Sequence, residues 1–277
     1  MECNRCPRRC KTQANGLCGV NGIKVAKIMP HYYEEPCISG KNGSGAIFFS
    51  GCNLRCCFCQ NRPISHGLKG EYYTEERLAA EILSLQESGV HNINLVTPSH
   101  IVPWLAGVLR EVKPQLNIPV VYNSSGYEGD ITILDGLVDV YLPDFKYMDS
   151  TLAARYSSAP DYPEVAKRAI KEMLRQVGEV VVEDGLIKKG VIIRHLVLPG
   201  LRKDSIAIME YIAQNFPKAY VSIMSQYTPE FNVGHIELDR KVTSFEYNSV
   251  VEAAFELGIK GFMQERCAAD TIYTPQF

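Results

Sequence analysis

The sequence lacks any hydrophobic run that could cross a bilayer, since no apolar stretch approaches the roughly 20 residues that a spanning helix needs. Its formal net charge is only −2, so neither a nucleic acid nor an anionic membrane is expected as a partner. The first ten residues, MECNRCPRRC, lack the apolar core of a secretory signal peptide. These absences together predict a cytoplasmic protein.

Cysteine, in contrast, is abundant, with 10 residues in a chain of 277. Four of them lie within the first 18 residues and four between residues 52 and 59, while Cys37 and Cys267 stand alone. In a long chain without a secretion signal, clustered cysteines indicate metal or iron–sulfur ligands rather than a disulfide framework.

The rest of the chain alternates strand-like and helix-like segments. Strands are predicted over 46–50, 92–97, 118–123, 138–143, 190–199 and 219–227. Helices are predicted over 74–89, 101–112, 130–136, 163–177, 205–216 and 243–258, with a short segment over 260–265 after the last helix. Strands separated by helices of this length indicate parallel βαβ units.

Polar residues recur where these strands end, and their distribution favours one of two architectures. They are Thr97, Ser99, Asn123, Ser125, Asp144, Lys146, Arg194, His195 and Gln226. A barrel builds its site from the carboxyl ends of several strands, whereas a doubly wound sheet concentrates its site at one switch point. We therefore predict an α/β fold with a partial (β/α)6 TIM-like barrel over residues 45–277. A small cysteine-rich metal-binding segment over residues 1–44 would precede it.

The sequence GCNLRCCFCQ, residues 51–60, follows the first predicted strand directly. Cys52, Cys56 and Cys59 have the spacing C-x3-C-x2-C on one short loop, with no obvious fourth ligand. A cubane iron–sulfur cluster normally takes four thiolates, so three would leave one iron open. A zinc site that used all four cysteines is disfavoured, because Cys56 and Cys57 are adjacent and zinc sites prefer separated pairs.

The string CNLRCCFC resembles the signature of the radical S-adenosylmethionine (SAM) superfamily, C-x3-C-x-aromatic-C, with Phe58 at the aromatic position. The resemblance assigns Cys52, Cys56 and Cys59 to a [4Fe-4S] cluster and leaves Cys57 out. It implies that SAM binds the open iron and is cleaved reductively to methionine and a 5′-deoxyadenosyl radical, which abstracts hydrogen from a substrate. It also implies an electron donor such as flavodoxin or ferredoxin.

Within that superfamily, four ordered segments resemble the pyruvate formate-lyase activating enzymes, which take hydrogen from a glycine of a partner enzyme. The segments are YNSSGY (122–127), LPDFKY (142–147), IRHLVLPG (193–200) and MSQYTP (224–229). The resemblance places Lys146 at the carboxylate of the cofactor and Asp144 beside the cofactor or a bound cation. The remaining cofactor contacts that we infer are Phe58, Thr97, Asn123, Ser125, Arg194 and Gln226.

Two segments depart from or lie outside this pattern. The activating enzymes carry G-G-E at the end of the second strand, where the amino group of the cofactor binds, but this chain has VTPSH (96–100). Thr97 or a backbone carbonyl would replace part of that contact. The missing acid weakens the assignment to glycyl radical formation specifically, but it does not weaken the prediction of cofactor cleavage. HYYEEP (31–36) is interpreted as a packed, hydrogen-bonded surface segment, with a substrate-facing loop as the alternative.

A second cysteine cluster, CNRCPRRCKTQANGLCG, contains Cys3, Cys6, Cys10 and Cys18. Four thiols with these spacings can close a zinc or single-iron site, or hold a second cubane. Structural zinc is favoured slightly, because Pro7 and the glycines suit a compact knuckle. In activating enzymes with additional clusters, the extra cysteines follow the cysteine triplet, which here is Cys52, Cys56 and Cys59. In this chain the four cysteines precede the triplet, so the resemblance transfers no role to them.

Two classes of function remain open at this point. The first is an enzyme that generates a 5′-deoxyadenosyl radical and acts on a glycine of a partner protein, on another peptide or on a small molecule. The second is a non-catalytic iron–sulfur electron carrier or sensor, which needs a fully ligated cluster and no cofactor pocket. Three cysteines rather than four, and the polar strand ends, favour the enzyme.

Overall fold

The computed structural model describes residues 3–11, 16–229 and 234–264, and a ten-stranded sheet organises this part of the chain. The strands are β1 (Ile23–His31), β2 (Ser44–Phe49), β3 (Glu71–Tyr73), β4 (Ile93–Val96), β5 (Val120–Ser124), β6 (Val140–Pro143), β7 (Val181–Glu183), β8 (Leu186–Leu196), β9 (Tyr220–Met224) and β10 (Gly261–Met263). The helices are α1 (Pro36–Ser39), α2 (Arg62–Ser65), α3 (Glu75–Glu87), α4 (Val102–Val112), α5 (Ser150–Ser157), α6 (Tyr162–Val177), α7 (Arg202–Asn215) and α8 (Ser244–Glu256). Cys267 lies outside the described residues.

The order of the parallel strands confirms the partial barrel. Strands β2, β4, β5, β6, β8, β9 and β10 are neighbours in that order, and every adjacent pair is parallel. The order never reverses as it does in a doubly wound sheet, so right-handed crossovers carry successive helices to the same side. β10 adds a parallel strand beyond the six that the sequence predicted.

Burial explains why these segments form a parallel sheet and its covering helices. Every residue of β2, β4, β5 and β6 is buried, as expected for strands that are covered on both faces. In α3, Leu78, Ile82 and Leu85 lie on the buried face. The Thr74 side chain accepts a hydrogen bond from the Arg77 amide at 3.2 Å and so caps the start of the helix.

Some element boundaries differ from the prediction for local reasons. β8 begins at Leu186 rather than at residue 190, because it continues into a hairpin with β7. The two-residue loop of this hairpin, Asp184–Gly185, has φ of 50° and 79°, which suits a tight turn between antiparallel strands. The helix predicted over 130–136 is a single 3-10 turn over Thr132–Leu134. Among the described residues no helix has the length and apolarity to span a bilayer.

The strand β1, which the sequence did not predict, joins the N-terminal part of the chain to the barrel. It pairs antiparallel with β2 from Val25 opposite Phe49 to His31 opposite Ser44. β3 then pairs with the outer side of β1. The predicted N-terminal segment and the barrel therefore share one sheet, and their division near residue 44 stays a prediction.

Candidate functional site

The carboxyl ends of the parallel strands surround a cavity of about 220 Å³. Its lining contains every residue that the sequence assigned to the cluster and the cofactor, namely Cys52, Cys56, Phe58, Cys59, Thr97, Asn123, Ser125, Asp144, Lys146, Arg194 and Gln226. They come from the loop after β2 and from the carboxyl ends of five further strands, β4, β5, β6, β8 and β9, so the fold gathers residues spread over most of the chain. The individual roles of these residues stay predictions.

The sulfur atoms of the cysteine triplet are each positioned by one hydrogen bond. The Leu54 amide lies 3.4 Å from Cys52 Sγ, and the Ser157 hydroxyl donates to Cys56 Sγ at 3.0 Å. The Cys59 and Ser65 side chains are 3.2 Å apart. The loop after β2 thus holds three thiols towards one cavity.

Cys57, the fourth cysteine of this loop, does not line the cavity. Its amide donates to the Tyr156 carbonyl at 2.8 Å, so its backbone serves to fix the loop. Burial raises the pKa of its thiol to about 11. This placement agrees with leaving Cys57 out of the triplet.

The chemistry of the triplet suits a cluster better than a single ion. Within the described residues, which include this triplet as well as Cys3, Cys6, Cys10 and Cys18, no three His, Cys, Asp or Glu side chains are grouped as ligands of one metal ion. A single zinc needs its sulfur ligands at about 2.3 Å, whereas a cubane offers a separate iron to each thiolate. Burial raises the pKa of Cys52 to about 12, so this thiol must release a proton when it ligates a cluster.

Two buried cations line the same cavity as the cysteines, and both are paired. Lys146 Nζ is 2.6 Å from one carboxylate oxygen of Asp144, and Arg194 Nη2 is 3.0 Å from the other. Burial would raise the pKa of Asp144, but the two cations hold it below its usual value. The arginine inside an apolar strand therefore has the partner that its burial requires.

Two further lining residues carry features that are typical of a ligand site. The Ser125 hydroxyl is buried and has no hydrogen-bond partner among the described residues, although buried polar groups are nearly always paired. Thr97 adopts a φ of 61°, which is rare for a β-branched residue, and its amide donates to the Asn123 carbonyl at 2.8 Å. Such strain clusters at binding sites. A polar ligand in this cavity would supply the partner that Ser125 lacks.

The end of β9 is tied to the cysteine loop. The Gln60 side chain donates to the Gln226 carbonyl at 3.0 Å, and Gln264 donates to the Gln226 side chain at the same distance. Phe58 packs edge-on against Tyr227, with ring centroids 6.2 Å apart. These contacts fix both Phe58 and Gln226 at the cavity wall.

Among the charged residues that line the cavity, Glu34 is the one that the sequence analysis did not assign to the site. HYYEEP is a hydrogen-bonded segment as predicted, but the Glu34 side chain is only 11% exposed and lines the cavity, which agrees with the alternative of a loop that faces the site. Its carboxylate accepts hydrogen bonds from Asn94 and Asn123, each at 3.1 Å, and pairs with Arg194 at 3.3 Å. Two adjacent acids before Pro36 were the available signal, but nothing in the sequence showed that the first of them enters the barrel.

The N-terminal cysteines lie in a segment where the Cys3 amide donates to the Cys10 carbonyl at 2.8 Å. Cys3, Cys6 and Cys18 are buried, and Cys10 is half-buried. Burial, followed by the neighbouring thiols, raises the pKa of Cys6 to about 11. Residues 12–15, between Cys10 and Cys18, lie outside the described residues, and the metal predicted here stays a prediction.

Arg8 fastens this segment to the triplet loop and to the end of α5. It donates to the carbonyls of Asn53 at 2.7 Å, Ser157 at 3.2 Å and Ser158. Gly51 and Cys18 pack so closely that a Cβ at Gly51 would meet the Cys18 carbonyl oxygen at 2.6 Å. The N-terminal segment therefore contacts the loop directly before Cys52.

The sequence is similar to a known protein family and to one curated protein. The sequence model of the radical SAM superfamily matches residues 46–212. An uncharacterized protein of Methanocaldococcus jannaschii, MJ0674, is 30% identical over an alignment of 273 positions, and the alignment covers 91% of this chain and 74% of that protein.

Solved structures with the same fold are more distant in sequence. SuiB of Streptococcus suis, bound to the precursor peptide SuiA, has a TM-score of 0.54 at 13% identity; the alignment covers 77% of this chain and 46% of SuiB. A radical SAM methyltransferase of Sphaerobacter thermophilus has a TM-score of 0.53 at 16% identity, covering 79% of this chain and 65% of that one. This chain thus spans about half the length of SuiB.

Proposed function

Because the chain belongs to the radical SAM superfamily, we propose that it cleaves SAM reductively and uses the resulting 5′-deoxyadenosyl radical to take a hydrogen atom from a substrate. The observation that carries this proposal is the composition of the cavity at the carboxyl ends of the strands. It combines three thiols, two paired cations and an unpartnered buried hydroxyl. A carrier that only transfers electrons needs no such polar pocket beside its cluster.

The residues that line the cavity would have three roles: to ligate the cluster, to bind the cofactor carboxylate and to exclude water. Cys52, Cys56 and Cys59 would hold a [4Fe-4S] cluster, which when bound supplies one electron to the sulfonium of SAM. Lys146 and Arg194 are the cations that would bind the SAM carboxylate. The apolar walls around Phe58 and Leu196 exclude water from the reacting atoms.

For the hydrogen donor we propose a glycine of a partner glycyl radical enzyme, on the resemblance of the four strand-end segments. A different peptide or a small molecule is the alternative. SuiB was solved with a precursor peptide, and the Sphaerobacter relative is a methyltransferase, so proteins of this fold differ in what they act on. The proposal includes a cytoplasmic location and reduction by flavodoxin or ferredoxin.

The test is anaerobic reconstitution of the cluster, followed by incubation with SAM and dithionite. We expect 5′-deoxyadenosine and methionine to form in equal amounts, and to form also when reduced flavodoxin or ferredoxin replaces dithionite. If the cluster is present and reducible but no 5′-deoxyadenosine appears, the protein is an electron carrier and the enzymatic proposal fails. A glycyl radical signal in the electron paramagnetic resonance spectrum of a co-incubated candidate partner would identify the substrate class.

We also propose a structural zinc ion at Cys3, Cys6, Cys10 and Cys18, with iron as the alternative metal. The support is the spacing of the four cysteines in the sequence, the electrostatic influence of Cys3, Cys10 and Cys18 on Cys6, and the Arg8 contacts that hold their segment against the triplet loop. Elemental analysis of the protein after aerobic purification should find about one zinc per chain. Replacing Cys6 by serine should remove it, whereas replacing Cys37, which is buried elsewhere, should not. Additional iron instead of zinc would overturn the choice of metal.

A further inference from the structure

We propose that Arg8 is a positioning residue of the cluster site: it holds the end of α5 against the triplet loop, so that Ser157 donates its hydrogen bond to Cys56. This inference rests on the proposed function and deepens it, because it presupposes a cluster at the triplet. Arg8 lies in the N-terminal segment, outside the residues 46–212 that match the superfamily. A part of the chain that precedes the barrel thereby sets a property of the cluster.

The guanidinium of Arg8 bonds to carbonyls on both sides of one contact. Its Nε donates to the Asn53 carbonyl at 2.7 Å, and Asn53 directly follows Cys52. Its Nη2 donates to the Ser157 carbonyl at 3.2 Å, and its Nη1 donates to the Ser158 carbonyl. Arginine carries its N–H donors in a rigid planar fork, so this one side chain fixes the separation between the triplet loop and the end of α5.

The end of α5 depends on partners from outside the helix. The last carbonyls of a helix have no donor within it, and this end also carries the negative pole of the helix dipole. The triplet loop offers two amides: Cys57 donates to the Tyr156 carbonyl at 2.8 Å, and Arg55 donates to the Ser157 carbonyl at 3.4 Å. Arg8 adds a shorter bond to the same Ser157 carbonyl and places a positive charge beside the negative pole.

The guanidinium of Arg8 is itself held in place by an aromatic ring. Its Cζ lies 5.1 Å from the centroid of the Tyr127 ring, which is within the range of a cation–π contact. The Tyr127 hydroxyl donates to Asp161 at 2.8 Å, and the Tyr127 carbonyl accepts from the Asn53 side chain at 2.6 Å. The same tyrosine therefore contacts Arg8 and the residue whose carbonyl Arg8 bonds, which fixes the direction of the fork.

The hydrogen bond from Ser157 to Cys56 depends on this arrangement. The two side-chain atoms, Oγ and Sγ, are 3.0 Å apart. Hydrogen bonds weaken steeply as their geometry is lost, so a shift of about 1 Å in the end of α5 would break this one. A hydrogen bond to a ligating sulfur stabilises the reduced form of a cluster and raises its potential. Loss of Arg8 therefore lowers the potential without removing a ligand.

Loss of the Arg8 charge alone shifts the potential in the same direction, so two comparisons separate the causes. Arg9 is the matched control for charge and for disturbance of the segment, because it is the next residue and is exposed. Ser157→Ala removes the hydrogen bond itself. If Arg8 acts through Ser157, its replacement in Ser157→Ala protein has little further effect, whereas a charge effect lowers the potential equally in both backgrounds.

The test is potentiometric titration of the cluster-loaded protein, followed by electron paramagnetic resonance. In Arg8→Gln the equilibrium constant for reduction should fall about three- to tenfold below the wild-type value, which is about 30–60 mV for a one-electron couple. Arg9→Gln should change this constant by less than about twofold. Arg8→Gln on the Ser157→Ala background should likewise change it by less than about twofold.

Three results would overturn the inference: equal potentials in wild-type and Arg8→Gln protein, an equal shift in Arg9→Gln, or a full further shift on the Ser157→Ala background. Arg8→Lys keeps the charge but loses the planar fork, so it should also lower the potential, and it provides the test if the glutamine variant does not fold. The proposed function is judged separately, because it fails when a reducible cluster yields no 5′-deoxyadenosine, whatever the potentials of the Arg8 variants.

Discussion

The Ser157 hydroxyl donates a hydrogen bond to Cys56 Sγ at 3.0 Å, although 101 positions separate the two residues in the chain. Ser157 is the last residue of α5 and lies 2.9 Å from the Tyr147 hydroxyl, which orients it. A residue far outside the cysteine motif therefore contacts one of the thiols predicted to hold the cluster. Hydrogen bonds to the ligating sulfurs are among the factors that set cluster potentials.

Replacing Ser157 by alanine should make the reduction potential of the cluster more negative, on the order of tens of millivolts, because the hydrogen bond stabilises the more negatively charged reduced form. Potentiometric titration followed by electron paramagnetic resonance measures this shift. Ser150→Ala, at the exposed start of the same helix, should leave the potential unchanged. Equal potentials in wild-type and Ser157→Ala protein would mean that the contact does not persist in the loaded protein.

The four cysteines of the loop should fall into two groups when each is replaced by alanine. Loss of Cys52, Cys56 or Cys59 should abolish both cluster iron and 5′-deoxyadenosine formation, because each would supply the only thiolate for one iron. Loss of Cys57 should leave both within about twofold of the wild type, since this side chain lies outside the cavity. Iron analysis and chromatography of 5′-deoxyadenosine distinguish the two groups. If replacing Cys57 also abolishes the cluster iron or the product, the assignment of Cys52, Cys56 and Cys59 as the ligands is wrong.

Asp144→Asn should destabilise the cluster-free protein by about 3 kcal/mol, because it leaves the charges of Lys146 and Arg194 buried with less compensation. Equilibrium unfolding in denaturant measures the loss. The double replacement Asp144→Asn with Lys146→Met should recover part of it, since one of the two uncompensated charges is then removed. If the losses of unfolding free energy in Asp144→Asn and Lys146→Met simply add in the double variant, the two residues are not energetically coupled.

Glu246 should make the stability of the fold depend on pH in the acid range. It accepts hydrogen bonds from Arg240, from the Gly200 amide at 2.7 Å and from the Thr243 amide at 2.9 Å. The bond from Arg240 is the largest influence that lowers the pKa of this carboxyl below its usual range. Its stabilisation is therefore present above the unfolded pKa of about 4.3 and is lost as the pH falls towards the lower folded value.

Glu246→Gln should accordingly cost about 1–3 kcal/mol at pH 7. The difference from the wild type should narrow as the pH falls below about 4. Unfolding free energies measured across this pH range test the prediction, and Glu256→Gln, in the last turn of the same helix, is the control. A difference that does not vary with pH would show that the ionised carboxylate is not responsible.

Much of the fold followed from the sequence because strands and helices alternate with clear periodicity. The polar residues at the strand ends could be grouped in advance, since parallel strands bring their carboxyl ends to one side. Asp144 and Arg194 illustrate this: each follows or ends an apolar strand, and they meet across neighbouring strands.

Glu34 could not be predicted in the same way. Its loop follows an antiparallel strand whose pattern is interrupted by Lys24, Lys27 and Pro30, so the strand gave no clear signal. Its contact with Arg194 joins residues 160 positions apart, and only the complete sheet brings them together. The hydrogen bond from Ser157 to Cys56 was unpredictable for the same reason.

The pairing of β1 with β2 sets a limit on how this protein can be shortened. A polypeptide that begins at residue 45 would keep the cysteine triplet and the parallel strands, but the backbone N–H and C=O groups of β2 that β1 now satisfies would face solvent. An unpaired apolar strand edge of this kind recruits strands from other molecules. The segment before the barrel thus prevents β2 from pairing with strands of other molecules. A shortened polypeptide that contains the barrel alone should therefore self-associate.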